Sequence, residues 1–120
     1  MAGPQQSASA RGAQAPLHIY ASFDFQDFLS GSKTIGVIGG NYLINRVVIE
    51  VTQAFDAGAQ LSVGTPSSHG LLMTTAENDL SLVAAVEKEP NYRNLSSQVF
   101  AVFLSGAPTQ GQATVYLSYS

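Results

Sequence analysis

The side chains able to move a proton or hold a metal are few: two histidines, His18 and His69, eight carboxylates and no cysteine. Catalysis needs such groups to converge as a nucleophile with a base, a carboxylate pair or a ligand set. His18 falls in an alternating segment and His69 in a Ser-rich one. Neither has a companion at the i+4 spacing of a helical metal site. Ser67 and Ser68 precede His69, but triads are built from residues distant in sequence, so adjacency argues nothing. A solvated loop histidine is the simpler reading. The carboxylates are Asp24, Asp27, Glu50, Asp56, Glu77, Asp79, Glu87 and Glu89. A glycosidase pair among them would meet only in space, usually in a cleft with aromatic platforms, and the chain has no tryptophan. Glu77-Asn78-Asp79 lacks the acidic spacing and distal Glu of a calcium loop, which favours a cap or Asx-turn. No catalytic, cofactor-binding or metal residue is assigned, and no cofactor is expected.

Other motifs are equally bland. Ile35-Gly36-Val37-Ile38-Gly39-Gly40-Asn41 has glycines, but not in dinucleotide-binding order; they suit a sharp corner between strands. Asn94-Leu95-Ser96 is formally an N-glycosylation sequon, relevant only to a chain in a eukaryotic secretory pathway. Phe23, Phe25, Phe55, Phe100 and Phe103 read as core or inter-subunit packing. Tyr20, Tyr42, Tyr92, Tyr116 and Tyr119 could line a sugar-binding face, or sit at strand edges with their hydroxyls in water.

The elements that would position these residues are strands. In 18–25, Ile19, Ala21, Phe23 and Phe25 alternate with His18, Tyr20, Ser22 and Asp24, the period of a half-buried strand. A short strand over 33–38 follows. Residues 42–55 form the strongest strand, with Leu43, Val47, Ile49 and Val51 on one face and Tyr42, Ile44, Val48 and Thr52 on the other; partly apolar faces suit a central position. Asp56-Ala57-Gly58 reads as a tight turn, after which residues 60–63 pair back. Residues 64–70 read as a surface loop. Residues 78–86 fit either a short capped helix or a turn and strand. Strands at 97–104 and 112–119 flank a hairpin loop at 106–111. About seven short strands separated by turns predict an all-β fold, a single β-sandwich or jelly-roll-like domain over 17–120.

Residues 1–16 contain no Leu, Ile, Val, Phe or Tyr, so they cannot build a core of their own. They are expected to form a flexible N-terminal arm, either a plain tail or a segment that orders on a neighbouring subunit. Pro4, Gln5, Gln6, Arg11 and Gln14 are its candidate contacts.

With 120 residues the chain is one domain's worth. Only 11% of residues are charged, against about 25% in an average soluble domain. Such a surface can pack against copies or partners with few charges to desolvate. The five basic residues, Arg11, Lys33, Arg46, Lys88 and Arg93, are scattered and the net charge is −3. That argues against nucleic acid and against polybasic membrane attachment. No apolar run reaches the length of a spanning helix, and no signal peptide is visible.

A resemblance rests on three stretches. Phe55-Asp56-Ala57-Gly58-Ala59-Gln60-Leu61-Ser62-Val63-Gly64 follows a Val- and Ile-rich run. Gly70-Leu71-Leu72-Met73 and Asn78-Asp79-Leu80 come next, and Gly106-Ala107-Pro108-Thr109-Gln110-Gly111 leads into Thr114-Val115-Tyr116-Leu117-Ser118-Tyr119. This order, over about residues 33–119, resembles small virion structural proteins of tailed bacteriophages. The resemblance implies a head decoration (cement) protein or a fibre-associated β domain, often trimeric and without catalytic residues. Its partners would be itself, as a homotrimer, and a major capsid protein; its place would be the capsid surface of the virion, after synthesis in the host cytoplasm. A carbohydrate- or receptor-binding module is the alternative, using the tyrosines and the loops that carry Thr65, Ser67, His69, Thr109 and Gln110.

Overall fold

The structure, a computed structural model, describes residues 17–120. The candidate arm contacts Pro4, Gln5, Gln6, Arg11 and Gln14 lie outside the described residues. Nine strands follow in order: β1 Leu17–Asp24, β2 Ser32–Ile38, β3 Tyr42–Gln53, β4 Gln60–Thr65, β5 Ser68–Met73, β6 Ala85–Lys88, β7 Tyr92–Asn94, β8 Gln98–Ser105 and β9 Gln112–Tyr119. All pairings are antiparallel. One sheet runs β1-β9-β3-β6, with β7 also on β3; the other runs β2-β8-β4-β5. The chain therefore winds back and forth between two facing sheets, as in the double Greek key of a jelly roll.

Alternation explains the layers. Ala21 and Phe23 of β1, Val47, Ile49 and Val51 of β3, and Ala113, Val115 and Leu117 of β9 are buried inward. Leu61 and Val63 of β4 and Phe100, Val102 and Leu104 of β8 meet them from the other sheet. Burying one large aliphatic or aromatic side chain is worth about 1.5–3 kcal/mol, so this layer supplies most of the drive to fold.

Four expectations change. Residues 56–58 and 106–111 do not make hairpins: β3 and β4 belong to different sheets, as do β8 and β9, so these segments bridge the sandwich. The expected 64–70 loop is a β4–β5 hairpin, and Thr65, expected on an exposed loop, is buried at the end of β4. Residues 78–84 form no helix; the chain there is irregular and then enters β6. In β3 a bulge between Ile44 and Arg46 shifts the parity, so Ile44 rather than Leu43 joins the core.

The strand directions give the sandwich two ends. At one end sit residues 25–31, 54–59, 74–84 and 106–111. At the other sit 39–41, 66–67 and 95–97, with Leu17 opposite Tyr119. Asn94 fastens this second end. Its fully buried side-chain nitrogen donates to the carbonyls of Ile38 and Gly39, each at 2.9 Å, and its side-chain oxygen accepts from Gln98 at 2.7 Å. The same burial closes the sequon reading for the folded chain, because that nitrogen is the atom a glycan would need.

Candidate interaction surfaces

Asp24 stops β1 by capping a short 3-10 turn, Phe25–Leu29. The Gln26 N–H donates to Asp24 Oδ1 at 2.9 Å, and Asp27 Oδ2 accepts from the Asp24 N–H at 2.9 Å. Two donors are satisfied reciprocally, the logic of a capping box. Lys33 lies 3.7 Å from Asp27. Phe28 faces inward onto Phe55, with ring centroids 5.4 Å apart, while Leu29 projects into solvent at 93% exposure. In the sequence Phe28 and Leu29 form one apolar pair that alternation alone does not tell apart. The signal that separates them is the Asp24-x-x-Asp27 spacing, which announces a helical turn and ends the strand's alternation.

Two bridging loops enclose the other side. The backbone N–H of Thr109 donates to Asp56 Oδ1 at 2.7 Å, and its hydroxyl donates to Oδ2 at 2.6 Å. The hydroxyl donor, then the backbone one, holds the Asp56 carboxyl below its ordinary value. Gly111 lies against the Phe55 ring with φ +134°, where a Cβ would come within 2.3 Å of it. Between the loop and the turn lies an open groove of about 300 Å³, lined chiefly by Phe25, Phe28, Leu29, Ala107 and Pro108.

The candidate loop residues divide between the two ends of the sandwich. Thr109 lines the groove and Gln110 is exposed next to it, whereas Ser67 is exposed on the hairpin at the opposite end. His69 lies on β5, not in a loop, with its ring stacked on Phe103 at 3.8 Å and 5°. Gly64 permits this: a Cβ there would fall 2.2 Å from the Ser68 carbonyl oxygen, so the incoming strand can cross directly over it. The tyrosines divide. Tyr42 packs edge-on against Tyr119 with both partly buried, while Tyr20 and Tyr116 sit side by side on the outer face of β1-β9, centroids 6.0 Å apart.

The titratable groups serve local structure. Glu77 accepts from Lys88 and Thr74, and Asp79 accepts from the hydroxyl and N–H of Ser81; both carboxyls are held below their ordinary values, chiefly by Lys88 and by the Ser81 hydroxyl. The Asp79–Ser81 pair is the expected Asx-turn. Glu87 meets Arg46 at 3.3 Å. His18 Nδ1 and Ser118 Oγ lie 3.0 Å apart, but the next residue in register is Arg46, not a carboxylate that would orient a base. Among the described residues no group of three or more His, Cys, Asp or Glu could hold a metal, and no helix is long and apolar enough to cross a membrane.

What the arrangement offers is surface: an apolar groove beside an exposed leucine, an aromatic pair on one sheet face and few charges. No protein-family model matches the sequence, and no curated protein matches it. Solved structures do. A chain of the cyanophage Pam1 capsid asymmetric unit superposes with a TM-score of 0.66 at 12% identity, over 87% of this chain and 83% of that one. A chain of the acidic stable capsid structure of Helicobacter pylori bacteriophage KHP30 gives 0.67 at 14% identity, over 88% and 87%. At such identities the likeness is one of fold.

Proposed function

We propose that this chain is a non-enzymatic structural component of a bacteriophage capsid, a decoration or cement protein that packs against the shell and its own copies. The observation that carries the reading is the near end-to-end likeness to chains from two phage capsids, covering 83% and 87% of those chains. A sandwich shared over more than four-fifths of each chain fits a subunit of the same build. The carboxylates engaged in caps and turns support a structural role, and the low charged fraction of 11% supports burial against neighbours.

In this reading the chain is made in the host cytoplasm and ends on the capsid surface, as a homotrimer against a major capsid protein. Each contact is modest, and a trimer on a repeating shell adds them as avidity. Residues 1–16 are the tether, ordering on a neighbour through Pro4, Gln5, Gln6, Arg11 and Gln14 at an entropic cost. Deleting residues 2–15 is expected to lower occupancy on purified particles at least tenfold while circular dichroism and melting stay unchanged. Undiminished occupancy removes the arm's role; failure of the full-length chain to bind particles removes the capsid role.

The Tyr20–Tyr116 pair favours a second reading, a glycan- or receptor-binding module of a virion fibre. Tyr20 is 66% exposed and Ser22, Thr114 and Glu50 flank the pair with polar groups. A glycan array without hits sets this reading aside.

A further inference from the structure

The outer face of β1-β9-β3 carries its aromatic pair at the rim of a polar cleft. Tyr20 and Tyr116 are directly opposite in register, and Tyr20 is 66% exposed. The next row on the same face is Ser22 with Thr114, whose hydroxyls lie 3.0 Å apart, and the row after it is Asp24 with Gln112. From these rows a cleft of about 460 Å³ opens toward the Phe25–Leu29 turn, walled by Asp24, Gln26, Lys33, Thr52, Gln112 and Thr114. That volume falls within the roughly 300–1,000 Å³ of small-ligand sites. Successive rows on one face are about 7 Å apart, so two joined sugar rings can span platform and cleft.

We propose, resting on the glycan reading of the tyrosine pair, that this face binds a neutral glycan, one sugar ring lying on Tyr20 and the next placing its hydroxyls in the cleft. A shell subunit can carry such a site without change to its packing role. The surroundings of the pair select the ligand. Among the described residues none of the other exposed large apolar side chains stands on β1, β3 or β9. The tyrosines therefore form an isolated platform, whereas a protein partner would need an apolar patch at the core of its interface. A sugar ring matches the platform with its C–H face and the cleft with its hydroxyls. The Ser22–Thr114 pair uses one hydroxyl proton and leaves the other to donate outward. Asp24 is held in place by the Gln26 N–H on Oδ1, and a sugar hydroxyl donating to such a carboxylate makes a charge-assisted bond. Charge then decides between glycan classes. Asp24 and Asp27 line the cleft, and Glu50 stands beside Thr114 in register. The one cation of the cleft, Lys33, pairs with Asp27 at 3.7 Å, and Arg46 on β3 pairs with Glu87. A sialic or uronic acid would bring one more negative charge to this surface, and a neutral ring brings none. The cleft is open, so one site holds weakly and many copies on a shell hold by avidity.

The full-length chain, coupled to beads so that weak sites add, is applied to an array of neutral oligosaccharides alongside sialylated and uronate-bearing ones. Neutral glycans are expected to bind, and the anionic ones to bind at least tenfold less. Y20A removes the platform and S22R fills the cleft from an exposed position; each is checked for an unchanged melting curve. Both are expected to weaken the neutral hits roughly tenfold or more, while Y20F keeps the ring and is expected to bind like the parent. Neutral hits that survive in a folded Y20A or S22R chain overturn the site and leave the glycan reading standing. Hits confined to anionic glycans overturn the sugar class and with it the proposal. An array without any hit brings down the glycan reading and the proposal together.

Discussion

Asn94 is fully buried, and its carboxamide ties the end of β7 to the end of β2 and the start of β8. A buried polar group is tolerable only while its partners are present, and orphaning each partner costs about 1–3 kcal/mol. Asn94→Leu keeps the volume roughly constant but strands the carbonyls of Ile38 and Gly39 and the Gln98 amide. We expect a loss of about 2–4 kcal/mol in urea unfolding, seen as a lower midpoint at unchanged slope. A loss below about 0.5 kcal/mol would mean that water satisfies these groups instead. Residues of this kind hide from sequence reading, because a sequon and a structural asparagine are spelled alike.

Gly64 sets the course of β5. Between the pairs Val63–Met73 and Thr65–Ser68 the incoming strand has extra residues, and it accommodates them by crossing over the glycine. A Cβ at 2.2 Å from a backbone oxygen cannot be relieved by a rotamer change. Gly64→Ala is expected to destabilise by about 2–3 kcal/mol and to speed hydrogen exchange in β5 more than in β3, with loss of the His69–Phe103 stack. Uniform exchange across the sheets would refute so local an effect. This element also marks what the sequence makes legible. Alternation read most of β1 and β9: Ala21 and Phe23, then Ala113, Val115 and Leu117, face inward, although Phe25, expected on the same face, has passed into the 3-10 turn and Ser118 is buried as well. It misled in β3, where one bulged residue reverses every face beyond it. Turn residues at 56–58 and 106–111 announced a change of direction, but not that the next strand joins the opposite sheet, because that choice depends on long-range pairing. The groove was illegible for a related reason: Leu29 and Phe28 are neighbours in an apolar run, and only the 3-10 turn sends one inward and the other out.

At the scale of the whole molecule, the three carboxyls held below their ordinary values, Asp56, Glu77 and Asp79, all stand at the end that carries the groove. A carboxyl with a lowered value in the folded chain stabilises it above the ordinary value, and that contribution is lost as pH falls through the lowered one. The ordinary values are 3.8 for Asp and 4.5 for Glu. The melting temperature should therefore be level from neutrality to about pH 5 and fall progressively below about pH 4. D56N should fall less steeply, since it has one ionisable partner fewer for Thr109. A melting temperature unchanged down to pH 3 would contradict this.

The pairing of Leu17 with Tyr119, and the hydrogen bonds between Ser120 and Leu43 at 2.8 and 3.0 Å, bring the first and last strands out at one end. Leu29 stands beyond the other end of β1, which at about 3.3 Å per residue is roughly 25 Å away. A cargo joined genetically before Leu17 or after Ser120 would be displayed on the side facing away from the groove. Two different cargoes, one on each junction, would be held close together: the geometry that the halves of a split reporter need.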